Sequence, residues 1–396
     1  MKKLRIIVGG YIGLYPTGGV MWDYIQYVIG LKELGHDVYY IEDTGQYSFY
    51  RNPEDPWDSS YKVVEYLKRE MEKFGLEDRW AYRNLFNGEC AGLSNKQVLE
   101  ICSTSDVFIN ISASSIFREE YLKIPVKILI DSDPMFTQVQ YLSEIENKSD
   151  YYVADRIKLS DYNYHFTFGE NINSKNCRIP ILDIKWLETR QPICLSYWSN
   201  GKLLPKKKIK FTTVMNWSTR SKLKFENEEW GQKDVEFLKY LSIPTQFKKA
   251  EFEIILSVSA GFKDKVDLNL IKGNEWEIHD PELTIGTPDE YKKFIQSSSA
   301  EFSIAKEAYV KSRSGWFSCR SACYLASGLP VVTEETGWSD FIPSGKGLFA
   351  FSNEGEAISS IKEVEENYER HCKCALEIAN EYFDSKKVLS NLLSKL

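Results

Sequence analysis

The sequence predicts an α/β fold of two Rossmann-like domains facing a central cleft. Short apolar runs alternate with amphipathic segments through the first half, the pattern of a parallel sheet covered by helices. A second alternating series begins near Lys210, and between the two lies WSNGKLLPKKK (198–208), whose Gly, Pro and basic run read as a linker. At 396 residues the chain is long enough for two domains of ordinary size. We expect an N-terminal domain over 1–200, a C-terminal domain over 201–365 and a helical tail over 366–396 that crosses back to the first domain.

The elements follow in order. Leu4–Val8 is a buried strand, and Gly9–Gly19 is a loop rich in Gly and Pro. Val20–Leu34 carries Met21, Ile25, Val28 and Ile29 at helical spacing and stops at Gly35, a natural C-cap. Val38–Ile41 completes one βαβ unit with a long first turn. Further strands are expected at Val107–Ile111, Val126–Ile130 and His165–Phe168, with a helix over Tyr61–Phe74. In the second half, strands fall at Lys210–Val214, Phe252–Val258, Ala300–Ile304 and Pro330–Thr333. Lys233–Leu241 and Pro288–Gln296 read as helices. From Ala357 to Leu396 the chain is largely helical, broken near Tyr382–Asp384.

A net charge of −7 and a pI of about 5.5 argue against wholesale nucleic-acid binding and suit a cytoplasmic protein. No apolar run reaches membrane-spanning length, and the opening MKKLRIIVGG fits a first strand better than a signal peptide. The eight Cys lack zinc-site spacing and read as reduced thiols. Only four His occur, and the basic run PKKKIK reads as solvated.

The most informative stretch is SRSGWFSCRSACYLASGLPVVTEETG, 312–337. Its order is loop, helix, Gly, strand. A helix start offers unpaired N–H groups and a partial positive charge, suited to a phosphate. Ser314, Gly315 and Ser318 are small enough to let an anion approach, and Arg320 can clamp it in two places. Lys306, Lys311, Arg313 and Arg320 gather positive charge within 15 residues. Past the strand, Glu334 and Glu335 can accept hydrogen bonds from sugar or ribose hydroxyls. A ligand with a diphosphate and a sugar fits all of these parts; a solvated basic helix start is the plainer alternative.

The helix followed by Gly-Leu-Pro-Val-Val resembles the donor-binding segment of GT-B glycosyltransferases, and Gly315-Trp316 is similar to a Gly-Trp of plant and antibiotic transferases. Many GT-B members carry an acid on that helix where this chain has Cys323. GGVMWDYIQYVIGLKELGHDVYYIEDTG, ILIDSDPMFTQ, HFTFGENI and AKEAYVKSRSGWFSCRSACYLASGLPVV are similar to a group of bacterial GT-B-type enzymes of mostly unassigned substrate. The resemblance implies sugar transfer from a nucleotide-diphosphate donor to an acceptor hydroxyl, without a metal or other cofactor. It implies that Lys306, Ser314, Ser318 and Arg320 hold the diphosphate and Glu335 the donor hydroxyls. Gly19 would border the cleft, and Asn216 and Trp217, after a strand, would meet the donor.

Three acids are candidates for the catalytic base: Asp23, on the first turn of its helix, and the pair Asp131 and Asp133. Asp23 also reads as a helix-start acid favoured by the dipole. Asp131-Ser132-Asp133 resembles the metal motif of GT-A enzymes, and alternatively forms cleft carboxylates without metal or a capping turn. The acceptor is a glycan, a lipid, a small molecule or, less in keeping with the acidic balance, DNA. A nucleotide-sugar epimerase and a non-catalytic nucleotide-sugar binding protein are the competing readings.

Overall fold

The computed structural model describes residues 2–46, 60–84, 88–147, 159–199, 208–218 and 221–396, without the side chains of residues 60, 143–147, 260, 262 and 264. The expected linker therefore lies largely outside the described residues.

Two parallel sheets organise the chain. The first has eight strands: β1 (Arg5–Gly9), β2 (Asp37–Glu42), β3 (Trp80–Arg83), β4 (Cys90–Gly92), β5 (Val107–Ile111), β6 (Val126–Asp131), β7 (Tyr164–Thr167) and β8 (Trp186–Glu188). Their order is β4-β3-β2-β1-β5-β6-β7-β8, and only the β3–β4 pair is antiparallel. The second sheet uses β9 (Lys210–Asn216), β12 (Glu251–Ser257), β13 (Glu277–His279), β14 (Ala300–Ser303), β15 (Val331–Glu334) and β16 (Leu348–Phe351) in the order β13-β12-β9-β14-β15-β16, all parallel. Between β9 and β12 an antiparallel hairpin, β10 (Leu223–Phe225) and β11 (Glu228–Trp230), stands apart. The central strands β1 and β5 are apolar runs because helices cover both their faces, and β14 is equally buried although it carries Glu301 and Ser303.

Each sheet reverses its winding once, between β1 and β5 in the first and between β9 and β14 in the second. At such a point the two following loops diverge and leave a crevice at the carboxyl ends of the strands. Here both crevices open toward one another.

Helix Gly18–Glu33 sits at the junction of the two halves. A Cβ on Gly18 would lie 2.4 Å from the Thr287 carbonyl oxygen, so the helix start is pressed against the second half at a place only Gly allows. Trp22 Nε1 donates to the Pro288 carbonyl at 3.0 Å. Gln26 donates weakly to Cys319 Sγ (3.8 Å) and Cys323 Sγ (4.0 Å) while its carbonyl accepts from Cys194 N and Trp198 Nε1. Cys323 is thus fully buried against the first helix. None of the eight cysteines forms a disulfide.

The tail runs through helices Glu354–Glu366 and Tyr368–Ile378, loosens into a π turn at Ala379–Phe383, and ends in helix Ser385–Leu393. Asp384 bridges Ile193 of the first half, with Ile193 N to Phe383 O at 2.7 Å and Ser385 N to Ile193 O at 2.9 Å. Gly30 lets the last helix lie close, since a Cβ there would fall 2.6 Å from Leu389 Cδ1. Among the described residues no helix is long and apolar enough to cross a membrane.

Candidate functional site

The two crevices merge into a cavity of about 750 Å³. Its walls come from the loops after β1, β5 and β6 on one side, and on the other from the carboxyl ends of β9 and β12 and the segments after β11, β13 and β14. A shallower hollow of about 420 Å³ over Asp289, Lys292 and Gln296 is an open surface feature.

Three cations converge on the second-half wall. Lys306 caps helix Glu307–Ser312, with Nζ 2.8 Å from Asp133 Oδ1 across the cavity and over the Phe136 ring at 4.6 Å. Arg320 sits on the first turn of helix Cys319–Ala326 and is held from behind. Its Nε pairs with buried Glu301, Nη1 donates to the Val214 carbonyl at 2.6 Å, and Nη2 to Ser303 Oγ at 2.6 Å. Lys233 opens helix Lys233–Phe237 and is 8% exposed, with no hydrogen-bond or ion-pair partner among the described residues. Burial, and then repulsion from Arg320 and Lys306, pushes its ammonium pKa well down. Its neighbour Gln232 also lines the cavity, with a buried Nε2 that finds no partner among the described residues. This corner is held by Glu307, which accepts from Gly231 N at 2.6 Å and donates its own N–H to the Gln232 carbonyl.

Lys233 and Gln232 are absent from the sequence-based candidates. One signal for Lys233 was legible: a cation at a helix N-terminus opposes the dipole and needs another reason to be there. By contrast, Lys311 and Arg313 leave the site. Lys311 is five residues past Lys306, roughly 140° around the helix. It pairs with Glu228 at 2.5 Å over the Trp230 ring. Arg313, in left-handed backbone at φ 50°, reaches Asp340 at 3.2 Å.

Ser318 is the N-cap of helix Cys319–Ala326, makes no side-chain capping bond, and lines the cavity together with Gly19 and Asn216. Three expected donor contacts stand elsewhere. Ser314 is buried in its own turn, its hydroxyl donating to the Tyr309 carbonyl at 3.3 Å and accepting from Trp316 N at 3.2 Å. Trp217 turns into the core against Phe237, ring centroids 5.7 Å apart. The Glu335 carboxylate is drawn back onto Gly337 N and is not in the cavity wall. Beside it, buried Glu334 holds its proton, pushed up to about 9 by burial and by the neighbouring Glu236 carboxylate.

The acids divide sharply. Asp23 lies on the cavity wall, open to cavity water yet ringed by protein. That enclosure raises its pKa to about 6, against the lowering effect of the Cys319 thiol and Arg320. Asp131 is a correction to the expected base. It is buried and saturated, accepting from Thr137 Oγ1 (2.6 Å), Gln138 Nε2 (2.8 Å), Thr167 Oγ1 (2.8 Å) and Asp133 N (3.1 Å). Its work is to hold the turn after β6, the capping alternative. Asp133 does line the cavity, but Lys306 and the Tyr309 hydroxyl engage it. The two carboxylates therefore do not stand together as a free cation-binding pair.

The loop after β5 completes the first-half wall. Ser112 (φ 57°) and Ala113 (φ 50°) both hold left-handed backbone, at roughly 1–2 kcal/mol each for residues with a Cβ. Ser112 Oγ bonds Ser132 Oγ at 2.6 Å and accepts from the Tyr24 hydroxyl at 3.2 Å. Strain of this kind persists where surrounding structure over-determines it, commonly beside a ligand.

No protein-family model and no curated protein sequence matches the chain. Solved structures do. An alpha-glucosyltransferase in complex with UDP and a 13-mer DNA containing an HMU base superposes with a TM-score of 0.61 at 13% identity, covering 100% of this chain and 99% of that one. A glycosyltransferase from Rickettsia africae gives 0.56 at 12% identity, covering 100% and 98%. A sucrose-phosphate synthase from Thermosynechococcus elongatus gives 0.52 at 9%, covering 99% and 98%. At these identities the likeness defines the architecture, and the chain has the GT-B fold.

Proposed function

We propose that this chain is a glycosyltransferase that moves a sugar from a nucleotide-diphosphate donor to an acceptor hydroxyl. The observation that carries the reading is the convergence of Lys233, Lys306 and Arg320 at the second sheet's switch point, one of them buried without a counter-ion among the described residues. A buried, unpaired ammonium is costly unless an anion arrives to pair with it. A diphosphate is such an anion, and the helix start at Ser318 adds its dipole.

As the glycosidic bond to the donor breaks, negative charge grows on the departing diphosphate. Cations already in place stabilise that charge without reorganising, the function a divalent metal serves elsewhere. On this reading transfer is metal-independent. Asp23 is the base for the acceptor hydroxyl, since a pKa near 6 leaves it ionised at neutral pH and still basic. Residues 1–200 form the acceptor side, 201–365 the donor side, and 366–396 the tail that ties one to the other. Eight cysteines without a disulfide support a reducing, cytoplasmic setting. Solved structures of the same fold hold UDP or UDP-glucose, which makes these the first donors to try.

The test is a thermal-shift series with UDP, UDP-glucose and other nucleotide-diphosphate sugars in EDTA, on the wild type and on Lys233→Met. We expect stabilisation by at least one nucleotide diphosphate that the variant loses. No stabilisation by any of them, or stabilisation only when a divalent cation is supplied, would overturn the reading.

A further inference from the structure

We infer that the acceptor is an uncharged saccharide or glycoside, bound on the first-half wall of the cavity; this rests on the donor reading above. The two walls differ in sign. Lys233, Lys306 and Arg320, the cations lining the cavity among the described residues, all come from the second half, and the acids Asp23 and Asp133 both come from the first. Lys306 is already paired with Asp133. A phosphate or carboxylate on the acceptor would face carboxylates with no cation of its own, and the chain's net charge of −7 adds to the repulsion of a polyanion.

What the first half offers instead is rings and neutral polar groups. Tyr11, Tyr15, Tyr24 and Tyr141 line it. Tyr11 meets Tyr15 and Tyr24 edge to face, each at 5.9 Å, so the rings form one connected surface. Tyr24 is locked in place through Ser112 and Ser132. Flat aromatic faces suit the C–H faces of a pyranose. Gln140, beside the tyrosines, supplies a neutral donor and acceptor for its hydroxyls, and Thr137 Oγ1, whose proton goes to Asp131, supplies a neutral acceptor. A site that matches hydroxyls in this way discriminates strongly among ligands that differ in them.

The experiment is saturation-transfer NMR on the full chain with UDP present, at 50 and 500 mM salt. The neutral probes are methyl glucosides, maltotriose and chitobiose; the charged probes are glucose 6-phosphate and a 13-mer DNA duplex. We expect a neutral probe to bind with little dependence on salt and to lose about tenfold in affinity in Tyr15→Ala, the upper end of one aromatic contact. Tyr15 is 42% exposed, so its truncation leaves the fold intact. Binding of the phosphate or DNA probe in preference, falling steeply with salt, would overturn the inference. So would a UDP-stabilised protein that binds no neutral probe, an outcome that leaves the donor reading standing. A protein that no nucleotide diphosphate stabilises would instead sink the donor reading, and this inference with it.

Discussion

The two walls of the cavity are built by opposite means. The second-half wall is charged, and two of its three cations are held by named protein partners: Arg320 by Glu301, Val214 and Ser303, Lys306 by Asp133. The first-half wall lines the cavity with no cation among the described residues; beside Asp23 and Asp133 it is made of tyrosines, hydroxyls and a loop with two residues in left-handed backbone. The difference teaches that one side is suited to a fixed ligand group of known charge, while the other relies on shape and hydrogen bonds. Within the charged wall there is a further contrast. Arg320 is satisfied by protein, whereas Lys233 is satisfied by nothing the described residues supply.

That contrast can be broken or sharpened by substitution. The largest effect is expected at the boundary between the walls. Asp23→Asn should lower kcat by roughly 10²–10⁴, the usual range for a general base. In the wild type kcat/KM should fall as pH drops below about 6, because Asp23, with its raised pKa, is protonated there. A flat pH profile from 5 to 8 would remove Asp23 from the chemistry.

Next comes Arg320→Ala, read by urea unfolding. Glu301 is fully buried and would lose its partner, so we expect a loss of about 3–5 kcal/mol in stability. A change below 1 kcal/mol would show that Arg320 is as free as Lys233. Lys233→Met should do the reverse to stability. It removes a buried amine without a partner, so the ligand-free protein gains about 1 kcal/mol. UDP affinity meanwhile falls roughly 30-fold or more. Because its pKa is depressed before binding, pairing with phosphate should draw a proton from solvent. Calorimetry of UDP binding near pH 8 in buffers of different ionisation enthalpy would register that uptake.

A smaller effect concerns the acids behind the charged wall. Glu334, with its folded pKa raised to about 9, binds a proton that the unfolded chain has released. The sign follows: its contribution to stability decreases as pH rises from the ordinary carboxylate range toward 9, by at most about 1.4 kcal/mol per unit. Melting temperatures from pH 6 to 9 should therefore fall more in the wild type than in Glu334→Gln. Parallel curves would show that Glu334 does not hold a proton in this range. The smallest change is expected for Lys311→Ala and Arg313→Ala, whose cations face outward; UDP affinity should move less than about twofold.

Legibility in the sequence followed burial. Strands β1, β5, β6 and β12 announce themselves as mainly apolar runs because both faces are covered, while β9, β14 and β15 mix buried polar residues with apolar ones. Strands β4, β8 and β13 and the hairpin β10–β11 are three residues each and partly exposed, too short for a period to register. In the site, Lys306, Ser318 and Arg320 were visible as a cluster because they are close along the chain. Lys233 was not, since 73 residues of sequence separate it from Lys306. Asp131 looked reactive beside Asp133, yet its partners Thr137, Gln138 and Thr167 leave it no free lone pair to speak of.

The sequence by itself determined the alternation of strand and helix, the division into two series and the gathering of cations near the helix start at 318. These depend on local periodicity and on neighbours in the chain. Only the tertiary structure decided which cations face the cavity, that Ser314, Trp217 and Glu335 turn away from it, and that the cavity's cations and acids fall on opposite walls. Those outcomes depend on rotation about helix axes and on partners far apart in sequence, such as Lys306 with Asp133 and Arg320 with Glu301. Spacing along a chain cannot encode them, because side-chain direction is settled only when the elements pack.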